Sequence, residues 1–211
     1  MPVEVTIVDH PLIADALVRV RDLNTPNTLF RQELERVGKL LLADATRHLP
    51  TEAVKVETPL EVTDGRVLAT QPVVIPILRA GLGFVHAAQE LMPAADIGFI
   101  GMSRDEETFQ PKPYVNKLPE TLAGRVCIVL DPMLATGGSL AATCRLLLEK
   151  GAPGPIIVVC VLAAPEGIQR LRDDALDLRI YTASVDSHLN DSAFIVPGLG
   201  DAGDRQFGTG S

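Results

Sequence analysis

The chain has 211 residues, enough for one domain with a sizeable core, and 46% of them are hydrophobic, which excludes an intrinsically disordered protein. Its formal net charge of -8 disfavours loose binding to nucleic acid or to an anionic membrane, because both reward basic surfaces. The longest apolar run, Ile156 to Ala164, is too short to span a bilayer, and the first residues lack a signal-peptide pattern. We therefore expect a cytoplasmic protein with no membrane or nucleic-acid partner.

The first third of the chain carries a helical pattern followed by a hairpin pattern. Residues 10–48 are predicted to be helical, because apolar side chains recur at helical spacing from Leu34 to Ala45 with charges on the other face. Residues 54–70 are predicted to form short strands. Their turn is predicted at Asp64-Gly65, a dipeptide typical of tight hairpins.

From Val73 onward, apolar runs that predict strands alternate with helical patterns. Runs this continuously apolar are typical of a parallel sheet that helices cover on both faces. We therefore predict a doubly wound α/β core. The predicted strands are 73–78, 96–102, 126–130, 156–164 and 176–183, and the predicted helices are 84–91, 139–150 and 165–174.

Two segments do not fit this alternation. Residues 103–120 are polar, contain three prolines and have no clear period, so we predict a long loop, which in a compact domain is often functional. The tail, 195–211, is so rich in glycine that neither a helix nor an ordinary strand is expected. The three cysteines, Cys127, Cys144 and Cys160, lie in apolar stretches without metal-ligand spacing and are expected to be buried, reduced thiols.

The segment from Asp131 to Ser139 has the pattern of a phosphate-binding turn. It follows a buried strand and leads through small residues into a helix, whose first N–H groups and positive dipole end favour an anion. Thr136 and Ser139 offer hydroxyl donors, and Asp131 could accept hydrogen bonds from ribose hydroxyls. From spacing alone, a tight turn whose aspartate caps the helix stays an open alternative.

Other glycine motifs are weaker. A Walker A loop is excluded because no Lys follows Gly137 or Gly138. Gly198, Gly200 and Gly203 match a dinucleotide fingerprint, but the few residues that follow cannot supply its helix and second strand. Residues 79–83, Arg-Ala-Gly-Leu-Gly, follow a predicted strand, so Arg79 is a candidate phosphate ligand, with a surface ion pair as the alternative.

Together these segments resemble the uracil phosphoribosyltransferase family. Matching stretches run from residue 10 to residue 209 in the family's order, and LDPMLATGGS and the tail IVPGLGDAGDRQFGT are the most specific of them. The resemblance implies a phosphoribosyltransferase-type parallel sheet flanked by helices, with a small base-binding hood. It also implies a single domain, 1–211, whose core spans about 70–185 and whose hood comes from about 1–69 and 186–211.

The family's activity joins uracil to the ribose of 5-phospho-α-D-ribose 1-diphosphate (PRPP), giving UMP and diphosphate in pyrimidine salvage. The resemblance implies Mg²⁺ as cofactor, held by PRPP and water near Asp201 with no direct protein ligand. It also implies that residues 104–117 correspond to the family's mobile loop. A homodimer or higher homo-oligomer is expected, and activation by GTP, known for some relatives, is left open.

Carried over residue by residue, the resemblance implies three overlapping sets of site residues. The catalytic set is Asp131, Arg104 and Asp201. The PRPP set is Arg79, Arg104, Asp131, Pro132, Met133, Leu134, Ala135, Thr136, Gly137, Gly138, Ser139 and Asp201. The uracil set is Ile195, Gly200, Asp201 and Ala202.

The chain departs from the family's pattern at His48, at 84–87 and at 191–194, the last beside the expected base pocket. No side-chain base is evident, and His10, His48, His86 and His188 are expected to have surface or structural roles. Two rival functions stay open. An RNA-binding regulator with the same core would need a basic face, and a nucleotide-binding oxidoreductase would need a fingerprint outside the tail.

Overall fold

Strands and helices alternate as the sequence predicts. The computed structural model describes residues 3–104 and 111–209, without the side chains of Arg104 and Pro111. The strands are β1 Val3–Ile7, β2 Thr51–Glu57, β3 Val62–Leu68, β4 Val73–Leu78, β5 Asp96–Ile97, β6 Phe99–Arg104, β7 Pro111–Lys117, β8 Cys127–Leu130, β9 Met133–Leu134, β10 Ile156–Ala163, β11 Leu178–Val185, β12 His188–Leu189 and β13 Ile195–Val196. The helices are α1 Pro11–Arg21, α2 Asn27–Ala45, α3 Val85–Leu91, α4 Gly138–Glu149, α5 Pro165–Asp173 and α6 Ala202–Phe207, and a 3₁₀ helix, Ala80–Phe84, precedes α3.

The main sheet is mostly parallel and has the order β1-β11-β10-β8-β4-β6-β7, with β5 beside β4 and β9 beside β10. Its apolar strands point alternate side chains into two separate clusters of buried residues. Ile128 and Leu130 of β8 join the cluster that α1, α2 and α3 cover, whereas Cys127 and Val129 join the cluster that α4 and α5 cover. Helices therefore cover both faces, which confirms the predicted α/β class.

The position of the site follows from the order of the strands. From β4 the chain passes through α3 to β5 and β6 on one side, whereas from β8 it passes through α4 to β10 on the other side. Neighbouring strands whose connections diverge in this way leave a crevice at their carboxyl ends, where open α/β sheets bind ligands. The turn at Arg79 follows β4 and the turn at Asp131 follows β8, so both border this crevice.

The predicted hairpin turn at Asp64-Gly65 is wrong. Asp64 and Gly65 lie inside β3, paired with Lys55 and Val54 of β2. The turn is at 58–61 instead, where the hydroxyl of Thr58 accepts from the backbone N–H groups of Leu60 and Glu61 and donates to the carbonyl of Glu61. A local side-chain bond of this kind, next to a proline, fixes a turn as well as an Asp-Gly pair does.

Two other predicted irregular segments are partly regular. Part of the predicted loop 103–120 is β7, which pairs antiparallel with β6 along the sheet edge, where prolines are tolerated. The tail contains the short helix α6, which Asp201 caps and which ends at Gly208 with φ of +68°. The predicted helical region 10–48 is two helices, because Pro26 precedes α2 and the intervening residues turn the chain.

The fold buries the cysteines and, in its described part, contains no helix that could cross a membrane. All three cysteines are free and buried, as predicted. Burial raises the pKa of the Cys127 thiol to about 11 and those of Cys144 and Cys160 to about 12, so none is a reactive thiolate at neutral pH. Among the described residues, no helix has the length and apolar character needed to cross a membrane.

Candidate active site

The loop after β8 is held in place by backbone hydrogen bonds to β10. The N–H of Asp131 donates to the carbonyl of Val159 at 3.1 Å, and the carbonyl of Pro132 accepts from Val161 at 2.9 Å. Residues 133–134 then pair with β10 as the short strand β9. The predicted phosphate loop therefore starts at the carboxyl ends of strands in the middle of the sheet.

Gly137 lets this loop turn tightly into α4. Its φ is +75°, and a Cβ at this position would come 2.8 Å from the carbonyl oxygen of Gly167, so any larger residue would push the loop away from α5. The loop from Asp131 to Leu140 encloses a cavity of about 100 Å³ that fits a single phosphate group. The first N–H groups of α4 border it, which is the arrangement that favours an anion.

Asp131 stands where the loop leaves β8, with its carboxyl group packed against the sheet. Burial raises its pKa to about 7, although a 3.4 Å hydrogen bond from the N–H of Met133 opposes this effect. The open alternative, a capping aspartate, is not what the structure has, since Gly137 occupies the N-cap position of α4. Near neutral pH the carboxyl group is thus poised between its two protonation states.

Arg79 follows β4, and its partly exposed side chain contacts the tail. Its guanidinium donates to Asp204 Oδ1 at 3.2 Å and to Thr209 Oγ1 at 3.1 Å. The peptide bond between Leu78 and Arg79 is cis. The guanidinium is about half exposed and borders a cavity, so it can bind an anion there while it keeps its ion pair with Asp204.

The four residues predicted to bind a base line one cavity of about 380 Å³. Gly198 and Gly200 have φ of +62° and +81°, and the backbone they shape leads to Asp201, whose Oδ1 accepts from the N–H of Asp204 at 2.8 Å. The lining residues are Ala80, Met133, Ala135, Thr136, Ser192, Ala193, Phe194, Ile195, Gly200, Asp201, Ala202 and Gly203.

A second cavity, of about 410 Å³, adjoins the first. Arg79, Asp131, Ser139 and Asp201 border it, so the structure brings together predicted residues from three distant segments. Ala80, Asp201 and Gly203 line both cavities and form a shared wall. Pro132 is buried in the loop and borders none of these cavities. Arg104 ends β6, but its side chain and residues 105–110 of the predicted covering loop lie outside the described part of the chain.

A larger cavity than these lies elsewhere. It measures about 890 Å³, opens widely to solvent between β1 and α5, and none of the predicted site residues lines it. Cavity size alone would therefore not select the predicted site residues.

Sequence reasoning missed the contacts that hold the tail. Arg21 forms two 2.7 Å hydrogen bonds to the carboxylate of Asp186 and also donates to the carbonyl of Gly198. Asp186 in turn accepts from the N–H of Gly198 at 2.9 Å, and its pKa is lowered because these bonds outweigh its burial. No local pattern marks this pair, because its members are 165 positions apart in the sequence.

A further charged cluster lies on the surface between α2 and α3. His86 Nδ1 is 2.5 Å from Glu35 Oε1, and Glu90 contacts Lys39 at 2.6 Å. The hydrogen bond to Glu35, with the negative charges around it, raises the pKa of His86. This supports the predicted structural role of His86, since it joins two helices away from both cavities.

We expect His86→Ala to lower the melting temperature more at about pH 6 than at about pH 9. A histidine whose pKa is raised by folding stabilises the fold fully below its unfolded pKa, and this contribution is lost as the pH rises through the folded pKa. Thermal unfolding of wild type, His86→Ala and Glu35→Gln across this range tests the effect. A His86→Ala deficit that does not vary with pH would contradict it.

The comparisons with known proteins agree with this geometry. The family model described as "Uracil phosphoribosyltransferase" matches residues 7–209. Curated proteins of that name from Cutibacterium acnes and Corynebacterium diphtheriae are 47% and 48% identical over 210 and 205 residues, which is 97% of this chain in both cases and 98% and 97% of theirs.

Solved structures share the fold of this chain. The AQ2163 protein from Aquifex aeolicus superposes with a TM-score of 0.90 at 36% identity, covering 97% of this chain and 98% of its own. A hypoxanthine-guanine phosphoribosyltransferase from Bacillus anthracis shares the fold alone, with a TM-score of 0.52 at 18% identity over 76% of this chain and 80% of its own. On the full-length family match and the high identity to its members, this chain belongs to the uracil phosphoribosyltransferase family.

Proposed function

We propose that this enzyme transfers the 5-phosphoribosyl group of PRPP to N1 of uracil, forming UMP and diphosphate in pyrimidine salvage. One observation carries the proposal: the phosphate loop and the glycine-rich tail open onto two adjoining cavities that share a wall. A phosphoribosyl donor and a small base need such neighbouring sites, because the bond that forms joins atoms of both. The family membership supplies the identity of the base.

The PRPP half of the site is assigned to the loop after β8 and the turn after β4. The 5′-phosphate fits the cavity of about 100 Å³ at the start of α4. Asp131 accepts hydrogen bonds from the ribose hydroxyls, and Arg79 faces the diphosphate group. Arg104 keeps its predicted role beside that group. The remaining contacts come from Met133, Leu134, Ala135, Thr136, Gly137, Gly138 and Ser139 of the loop, whereas Pro132, which borders none of the cavities, shapes the loop from within.

The uracil half of the site is assigned to the tail. Ile195, Gly200, Asp201 and Ala202 border the cavity of about 380 Å³, where bare backbone N–H and C=O groups can approach the polar edge of the base. Cytosine replaces one carbonyl by an amine and would leave a buried N–H unpaired. A site that requires a hydrogen bond can reject an analogue by about 10⁴–10⁵.

The residues that border the cavity of about 410 Å³ suit Mg²⁺. Asp131 and Asp201 present carboxylate oxygens there, and hard oxygen ligands are those that Mg²⁺ prefers, commonly together with substrate phosphates and water. We place the ion and its water shell near Asp201, as the family resemblance implies. When bound, the ion neutralises charge on the leaving diphosphate.

The reaction is a displacement at C1′ of the ribose. The C1′–O bond to diphosphate breaks as uracil N1 forms its bond from the opposite face. The electron pair of the broken bond leaves with diphosphate, and the proton of N1 is released to solvent. The protein's contribution is to fix the two partners, which can supply about 7–11 kcal/mol, and to place Arg79 against the departing anion. Among the described residues, none in the base cavity is a histidine, which fits a mechanism without a histidine base.

We expect kcat/KM for PRPP to fall as the pH is lowered through about 7, the pKa of Asp131. The ionised carboxylate accepts hydrogen bonds from the ribose, and the protonated form does so poorly. The pH dependence of kcat/KM reports the free enzyme, so this limb should appear there and be absent in Asp131→Asn. A profile of Asp131→Asn parallel to that of wild type would assign the limb to PRPP itself and contradict the prediction.

A homodimer or higher homo-oligomer is part of the proposal. The β2–β3 hairpin pairs with no other strand of the described chain, and it exposes Val56, Leu60, Val62 and Val67. An exposed apolar arm of this kind is typical of an interface.

We further propose a cytoplasmic location with no nucleic-acid or membrane partner. GTP is proposed as an activator to be tested.

The direct test is chromatographic detection of UMP and diphosphate from uracil, PRPP and Mg²⁺ with the purified protein. Equal amounts of both products are expected. Absence of UMP together with salt-dependent capture of RNA on filters would overturn the proposal in favour of the RNA-binding regulator.

A further inference from the structure

Gln206 connects the two halves of the site. The side chain belongs to α6 and is fully buried, and its amide donates one hydrogen bond within α6 and one to the 3₁₀ helix after β4. Nε2 donates to the carbonyl of Ala80 at 3.1 Å and to the carbonyl of Ala202 at 2.8 Å. Ala80 belongs to the turn that carries Arg79, and Ala202 belongs to the base-binding tail.

Of the two carbonyls that Gln206 binds, one belongs to a residue of the shared wall and the other to a residue of the base cavity. Ala80 lines both cavities, and Ala202 lines the base cavity. The backbone carbonyl of Gln206 accepts from Arg31 of α2 at 2.6 Å, so α6 is also held by a contact that does not involve the side-chain amide. One amide group therefore sets the spacing between the turn after β4 and the tail.

The surroundings of this amide argue against a role in stability alone. Its Oε1 is buried without a hydrogen-bond partner among the described residues, an arrangement that costs free energy. An apolar side chain of the same length would avoid that cost and fill the same space. The neighbouring backbone leaves room for the amide only because residue 83 is glycine, where a Cβ would lie 2.2 Å from Oε1.

We propose that Gln206 is a positioning residue that holds the base and the ribose at the separation that the transfer needs. This inference rests on the proposed function. Loss of the two hydrogen bonds leaves each substrate its own contacts but lets the wall between them shift. Because a misplacement of about 1 Å can cost 10²-fold in rate, the defect should appear in kcat more than in substrate binding.

The test compares Gln206→Met, which keeps the length and removes both donors, with Gln206→Glu, whose protonated form keeps one donor. Phe207→Leu, on the exposed side of the same helix, is the matched control. Calorimetric titration with PRPP and Mg²⁺ counts the intact PRPP sites. We expect kcat per PRPP site to fall about 10- to 100-fold in Gln206→Met and less in Gln206→Glu. The dissociation constant for PRPP should change less than about threefold, since Gln206 does not line the PRPP cavity. Phe207→Leu should match wild type.

Two results would overturn the proposal while wild type still makes UMP. One is a Gln206→Met enzyme with wild-type kcat per site. The other is that Gln206→Met and Gln206→Glu both fail to fold, or that both lose activity only in proportion to the loss of PRPP sites. That result would assign Gln206 to folding. Failure of wild type to make UMP would instead refute the proposed function itself.

Discussion

Replacing Asp131 by Asn should lower kcat/KM for PRPP by about 10²–10⁴-fold. Hydrogen bonds to a charged group contribute about 1.5–3 kcal/mol each, and in the proposed complex the carboxylate accepts two from the ribose hydroxyls. Asparagine keeps one acceptor oxygen and turns an N–H₂ group toward the other hydroxyl. Each factor of ten in rate corresponds to about 1.4 kcal/mol. Steady-state kinetics at about pH 8, where the native carboxyl group is ionised, gives the comparison.

Stability separates this effect from damage to the fold. Burial raises the pKa of Asp131 to about 7, so stability falls as the pH rises from about 4, where the unfolded carboxyl group ionises, to about 7, where the folded one does. Asp131→Asn should therefore melt no lower than wild type at higher pH. Asp173→Asn, an exposed carboxylate at the end of α5, is the matched control and should keep full activity. Near-normal turnover by Asp131→Asn would refute the ribose role.

Truncation after Pro197 should abolish UMP synthesis. It removes Gly200, Asp201 and Ala202 from the base cavity and deprives Arg79 of its partners. It also removes Arg205, which donates to the carbonyls of Val20 and Asp22, so the truncated chain should melt at a lower temperature. Measurement of UMP at a temperature where the truncated chain is still folded is the test. UMP synthesis retained there would refute base recognition by the tail.

A smaller change isolates the backbone contribution. Gly200 has φ of +81°, and a Cβ there would make an ordinary contact with Arg205 Cδ at 3.6 Å, whereas Gly124 has φ of +72° with nothing within 4 Å. Alanine at either site adds a similar backbone strain, of about 1–2 kcal/mol, but only Gly200 shapes the base cavity. We expect Gly200→Ala to lower kcat/KM for uracil by about 10- to 100-fold, whereas Gly124→Ala should lose only stability. Equal activities of the two variants would contradict the assignment.

The sequence predicted those parts of the fold whose signal is local. The apolar runs at β4, β8 and β10 and the small residues before α4 could be recognised because burial on both faces and a tight turn leave a compositional trace. The turn at Thr58 was missed, because Asp64-Gly65 carries a stronger dipeptide signal than a threonine hydroxyl does. The helix α6 was not predicted, because the tail is rich in glycine. It forms because the capping aspartate offsets the cost of one internal glycine.

The site was predictable as a set of residues but not as an arrangement. Asp131 and the loop to Ser139 follow from the strand-turn-helix pattern, whereas the tail residues came from resemblance to the family. The partners of Arg79, the Arg21–Asp186 pair and the buried amide of Gln206 join positions far apart in the chain, so no spacing reveals them. The raised pKa of Asp131 likewise depends on what the fold packs around it.

A competition among bases tests the central claim most directly, because the claim joins a phosphoribosyl site to a site for uracil. The purified enzyme is given limiting PRPP with Mg²⁺ and an equimolar mixture of uracil, cytosine, orotate, hypoxanthine and adenine, with and without GTP, and the nucleotide products are separated and quantified. The account predicts UMP in excess of every other nucleotide, by about 10⁴ over the cytosine product. A dominant product other than UMP, or comparable amounts of UMP and CMP, would contradict it.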